Sequence, residues 1–139
     1  MFRHPAAKRF MVALSLGIVF GFLCLYLVGR QQPEIASLTH PIAWSILTDR
    51  ILIGMVIAFA GAFTVHPILG FSYRPWLRGS CLGAVVSLPI ATGAMSGPST
   101  GPMSPWVVFV ATVVSGMIYG AIIDLVATRV GGEGVDLVR

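Results

Sequence analysis

Charge is what this sequence has least of. Nine Lys or Arg and five Asp or Glu among 139 residues make it 10% charged, against 56% hydrophobic, with a mean hydropathy of +0.89. A soluble domain carries about 25% charged residues to keep its surface hydrated, so a water-solvated exterior is excluded and lipid must do much of the solvating. Cysteine is as scarce. Cys24 and Cys81 fall toward opposite membrane faces in the topology below, which leaves no disulfide framework, and they read as small apolar packing residues. His4, His40 and His66 do not converge in that topology. There is no nucleophile, base and acid set, no Cys/His ligand spacing and no phosphate-cradling glycine loop. The sequence therefore names no catalytic residue, no metal ligand and no cofactor, and the expectation is a protein that is not an enzyme. A net charge of +4 could suggest nucleic acid, but the basic residues are scattered and flank apolar runs, where they serve membrane orientation instead.

What is present is long apolar runs. Four of them cover residues 10–29, 51–71, 79–96 and 106–128, and only Asp124 among the charged residues falls inside one. A hydrocarbon core about 30 Å thick needs about 20 apolar residues per helix. The expected fold is all-α: one polytopic membrane domain over residues 1–139, with four transmembrane helices in a compact bundle. The first run follows Arg3, Lys8 and Arg9, is longer than a secretory signal core, and ends at Val28-Gly29-Arg30 without a small-x-small cleavage pattern. It reads as a retained signal anchor. With the N-terminus inside, Arg3, Lys8, Arg9, Arg74, Arg78, Arg129 and Arg139 are cytoplasmic and Arg30 and Arg50 are not, so both termini are placed in the cytoplasm of a cell by the positive-inside rule.

The first outer segment contains Pro41-Ile42-Ala43-Trp44-Ser45-Ile46-Leu47. One reading makes it a short interfacial helix before a second span starting at Ile51. The other starts that span at Pro41 and submerges Asp49 and Arg50 by about 12 Å. The first is preferred, since an inserted charge near the bilayer centre costs about 2.5 to 3.5 kcal/mol. Phe71-Ser72-Tyr73-Arg74-Pro75-Trp76-Leu77-Arg78 interleaves aromatics with arginines, as an interfacial anchor does. Gly97 to Pro105 is a proline-rich connector, and Gly131-Gly132 stops the last helix.

Small residues at four-residue spacing recur in every span: Ala13, Gly17, Gly21; Gly54, Ala58, Ala62; Gly79, Gly83, Ser87, Ala91; and Thr112, Gly116, Gly120, followed by Asp124 and Thr128. Close backbone approach at such rows is what associates helices in lipid. Tight packing within the chain uses some of them, and a homo-oligomer or a larger membrane complex is a use for the rest. A faint echo links Ser15-Leu16-Gly17-Ile18-Val19 to Cys81-Leu82-Gly83-Ala84-Val85, and Gly54-Met55-Val56 to Gly116-Met117-Ile118, which suggests paired hairpins.

Few polar positions touch the spans. Pro89, after Ser87-Leu88, lacks an N–H and should kink or break its helix. Asp124 sits about 6 Å before Thr128 at the inner end of the last span. An anion there opposes the helix dipole, and Arg78 at the start of the third span has the mirror problem. Pairing relieves both, so an Asp124–Arg78 ion pair is expected, with Arg74 as substitute. Asp49 and Arg50 are expected to mark the outer boundary, with Glu34 as the partner of Arg50.

The run Asp49-Arg50-Ile51-Leu52-Ile53-Gly54, then Trp76 to Gly83, Ser87-Leu88-Pro89, and Gly116-Met117-Ile118-Tyr119-Gly120 before Asp124 resembles a group of small uncharacterised prokaryotic four-helix membrane proteins. The resemblance covers about residues 49–124 and implies a prokaryotic cell membrane but no chemistry. The functional expectation is a structural or accessory component. The alternative is a small oligomeric transporter or channel that uses the Pro89 kink and the Asp124 region.

Overall fold

The computed structural model describes residues 4–65, 68, 70–96 and 103–137, without the side chains of residues 135 and 136. Arg3, His66, Pro67, most of the Gly97–Pro105 connector and Arg139 lie outside the described residues. Four helices follow one another: α1 (Pro5–Gly29), α2 (Pro41–Ala60), α3 (Pro75–Ser96) and α4 (Pro105–Gly131), then a short 3-10 turn, Gly134–Leu137. All four are long and apolar enough to cross a membrane. The chain is a multi-pass, all-α membrane protein embedded in a lipid bilayer.

Each helix begins with proline, whose fixed φ suits the first turn and whose missing N–H would have had no partner there. Two starts are also capped by side chains. His40 Nδ1 accepts from the Ile42 amide at 3.2 Å, and Ser104 Oγ accepts from the Val107 amide at 3.4 Å. Pro89 stands inside α3 without ending it, and it faces outward, away from the buried face that carries Ser87.

The second helix departs from the preferred sequence reading. The Pro41–Leu47 segment is not a separate interfacial helix but the first two turns of α2, which ends at Ala60 rather than near residue 71. Asp49 and Arg50 are consequently buried inside the bundle instead of marking its boundary. The insertion penalty that favoured the other reading applies to unpaired charges, and these two are paired. After α2 the chain turns back on itself through an antiparallel bridge, Val65 to Ser72, with the Tyr73 amide donating to Thr64 O at 2.8 Å.

α1 packs mainly on α2 and α3 mainly on α4, while α1 and α4 join the two hairpins. In both hairpins the echoed glycines meet. A Cβ on Gly17 would lie 3.4 Å from the Gly54 Cα, and one on Gly116 would lie 2.7 Å from the Gly83 carbonyl. At Gly79, Gly83 and Gly120 a Cβ would run into main-chain atoms of the facing helix, so α3 and α4 can touch only because those residues are glycine. Gly21 rests against Leu47. Ala13, Ile53, Ile57, Ala58, Ile123 and Ala127 fill one core cluster, and Leu25, Ala43 and Leu47 a second. Large apolar side chains such as Phe22, Phe59, Val85 and Trp106 point outward, the arrangement lipid requires.

Candidate functional site

Among the described residues the interior holds two arginine–carboxylate clusters. One lies at the end of the bundle where α1 and α3 start and α2 and α4 finish, called here the proximal end. Its centre is Asp124 on α4, wholly buried. The sequence argument pairs Asp124 with Arg78, and the structure places the Arg78 guanidinium against both carboxylate oxygens, Nε to Oδ2 at 2.8 Å and Nη2 to Oδ1 at 2.9 Å. Arg78 also donates to Phe63 O at 3.0 Å and to Glu133 Oε2 at 3.0 Å. Thr128, one turn beyond Asp124, donates to Oδ1 at 3.3 Å. Arg74, the expected substitute, is exposed and enters no ion pair among the described residues.

The second cation at Asp124 is one that the sequence reading assigned only to orientation. Arg9 on α1 is 0% exposed, and its Nη2 donates to Asp124 Oδ1. Its other bonds run to Thr128 Oγ1 at 2.8 Å, Gly132 O at 2.9 Å, Ile57 O at 3.2 Å and Ala58 O at 3.3 Å. A guanidinium has five N–H groups in a fixed fork, and here each has an acceptor. The Ile57 and Ala58 carbonyls belong to the last turn of α2, so Arg9 also places a cation where the α2 dipole is negative. Gly61 leaves the space for this, since a Cβ there would overlap the guanidinium. Formal charges balance within the cluster itself: Arg9 and Arg78 against Asp124 and Glu133.

The other cluster lies deeper. Asp49 and Arg50 sit about 12 Å along α2, and the Ser87 that joins them sits about 18 Å along α3, near its middle, at 1.5 Å rise per residue. Asp49 is 2% exposed. Its Oδ2 accepts from Arg50 Nη1 at 2.5 Å and from Ser87 Oγ at 3.0 Å. Arg50 reaches all three other helices: Cys24 Sγ on α1 at 3.4 Å, Ser87 Oγ on α3 at 3.1 Å, and Ser115 Oγ on α4 at 2.6 Å. It also lies over the Tyr119 ring, 5.2 Å from the centroid, and that ring stacks on Phe20. Glu34, the partner expected for Arg50, is exposed instead, and Asp49 takes its place. Asp49 Oδ1 has no hydrogen-bond partner among the described residues.

Among the described residues no hydrogen bond links the two clusters. Ile53, Ile57 and Ile123, all 0% exposed, pack in the interior of the same helices between them. Pro89 and its outward face belong to neither. Among the described residues no group of three His, Cys, Asp or Glu could hold a metal ion. No family model, curated protein or solved structure matches the chain.

The missed residues did carry a signal. Stepping back four positions from Ala13 in its small-residue row gives Arg9, and from Gly54 gives Arg50. A charge in register with a helix-contact row faces the neighbouring helix and not the water.

Proposed function

We propose that this chain is a small accessory or structural membrane protein that packs with itself or with a larger membrane partner, and that it is not an enzyme. The observation that carries this reading is where its buried charge is used. Arg9 and Arg50 each bind groups on at least two other helices, and Arg78 joins α4 to the chain just after α2, so the polar atoms in the bundle act as clamps between spans. Isoleucines close-packed between the clusters favour a rigid body over a conduit. The row of Gly17 and Gly21 and that of Gly79, Gly83, Gly116 and Gly120 serve helix contact within the chain, which leaves an oligomer or partner to the broad apolar faces outside. The resemblance and the basic residues support a prokaryotic cell membrane with both termini cytoplasmic.

In-membrane crosslinking followed by mild solubilisation tests this. The expected result is a stoichiometric complex, either of copies or with one partner, and a monomer in several mild detergents without crosslinks overturns it. A reporter fused at Arg139 should be active in the cytoplasm only.

The rival reading, a small oligomeric transporter or channel, draws on one specific observation: a carboxylate and a guanidinium at mid-depth, a placement that often marks ion or proton routes. Purified protein in proteoliposomes decides. Proton or cation flux abolished by Asp49→Asn or Asp124→Asn supports transport, and a flux equal to that of empty vesicles supports the accessory role.

A further inference from the structure

We propose that Asp49 is a reversible proton-binding site in the middle of the bundle, with Oδ1 as the atom that takes the proton. The two carboxylates of the interior differ in how their oxygens are used. At Asp124 both oxygens accept, from two arginines and a threonine. At Asp49 one oxygen takes both donors while the other, buried with the rest of the side chain, takes none among the described residues. A carboxylate oxygen buried in an apolar interior without a donor carries a desolvation cost that no hydrogen bond offsets. A proton bound at that atom takes the idle lone pair and leaves both donors of Oδ2 in place.

The ligand class follows from the neighbours. Arg50 stands 2.5 Å from the same carboxylate and repels a metal cation, and the surrounding hydroxyls of Ser87 and Ser115 already bond to Arg50. Bulk also argues against a larger guest, because Gly17 is pressed on the Arg50 main chain and Gly116 on Ser87. A proton needs neither space nor further ligands. The other titratable groups facing the cluster are Cys24 from α1 and Tyr119 from α4, both of which contact Arg50 and not the carboxylate; from α3 only the hydroxyl of Ser87 faces it. The step is balanced simply. A hydronium ion gives a proton to a lone pair on Oδ1: one of its O–H bonds breaks as the new one forms, a water molecule is released, and the cluster passes from neutral to the single positive charge of Arg50.

The end of the bundle away from Arg9 is indented. A cleft of about 140 Å³ is lined by Leu27, Val28, Gln31, Gln32 and Met103, and Val28 is one helical turn from Cys24. Ile53, Ile57 and Ile123 pack toward the proximal end, and Leu25, Ala43 and Leu47 toward the cleft end. This inference is independent of the accessory reading, since a proton can bind without crossing.

Infrared difference spectroscopy of the full chain in lipid nanodiscs, taken between neutral and mildly acidic pH, tests it. The expected result is a protonated-carboxyl band at the position of a dehydrated acid that shifts when aspartate, not glutamate, carries a ¹³C carboxyl. That band is lost in Asp49→Asn and kept in Glu34→Gln and Glu133→Gln. No such band on acidification, or a band that survives Asp49→Asn, overturns the proposal. If Asp49→Asn does not fold, Asp49→Glu keeps a carboxyl at the site and must move the band from aspartate to glutamate labelling; a band still carried by aspartate overturns it equally.

Discussion

The two buried clusters use the same chemistry to different ends. At the proximal end one carboxylate serves two guanidinium groups, every donor of Arg9 is used, and main-chain carbonyls of α2 and of the chain after α4 complete the set. At mid-depth one guanidinium serves one carboxylate, and an oxygen of that carboxylate is idle. A saturated cluster resists change because each lost bond strands a buried charge. An unsaturated one is poised to accept something. The comparison teaches that ion pairs within one small bundle can differ in kind: depth in the membrane matters less than the count of donors and acceptors.

Four variants press on that comparison. The largest effect is expected for Asp124→Asn, which leaves Arg9 and Arg78 facing a neutral group. Breaking a buried pair this way costs about 3–5 kcal/mol, to be read as a lowered unfolding midpoint in detergent and reduced abundance in membranes. Next is the exchange Arg78→Asp with Asp124→Arg. A simple pair would be fully rescued by it, but Arg9 then meets the introduced cation, so recovery over either single reversal is expected to be partial; full recovery would mean that Arg9 contributes little. Asp49→Asn should be milder, about 2 kcal/mol, because an amide still accepts from Ser87 and Arg50 and only the charge is lost. A loss equal to that of Asp124→Asn, in the same unfolding assay, would erase the distinction between the clusters. Arg74→Gln is the smallest, within about 0.5 kcal/mol, as for an exposed side chain away from any network.

Much of the fold was legible in the sequence because the bilayer imposes a length and a composition on each helix. Four helices, the glycine rows and the approach of Arg78 to Asp124 all follow from local pattern plus dipole arguments. The start of α2 did not, and the reason is physical. Whether Asp49 and Arg50 can be submerged depends on Ser87, Ser115, Cys24 and Tyr119, which lie on other helices. A one-dimensional insertion penalty cannot contain those partners. Arg9 escaped for a related reason: beside Lys8, at the start of an apolar run, it looks like any topogenic cation, and only its register with Ala13 and Gly17 separates it from its exposed neighbour.

The acceptors of Arg9 also carry a consequence for how the protein is made. None of them lies on its own helix; the two on α2 are synthesised some fifty residues later, and the carboxylate of Asp124 is 115 residues away. A nascent chain that has inserted α1, α2 and α3 therefore holds Arg9 and Arg78 near one membrane face with no carboxylate of α4 to receive them. Arrival of the last helix satisfies both at once. Completion of synthesis is thereby made a condition for a quiet interior, since a chain without α4 lacks the carboxylate that Arg9 and Arg78 share.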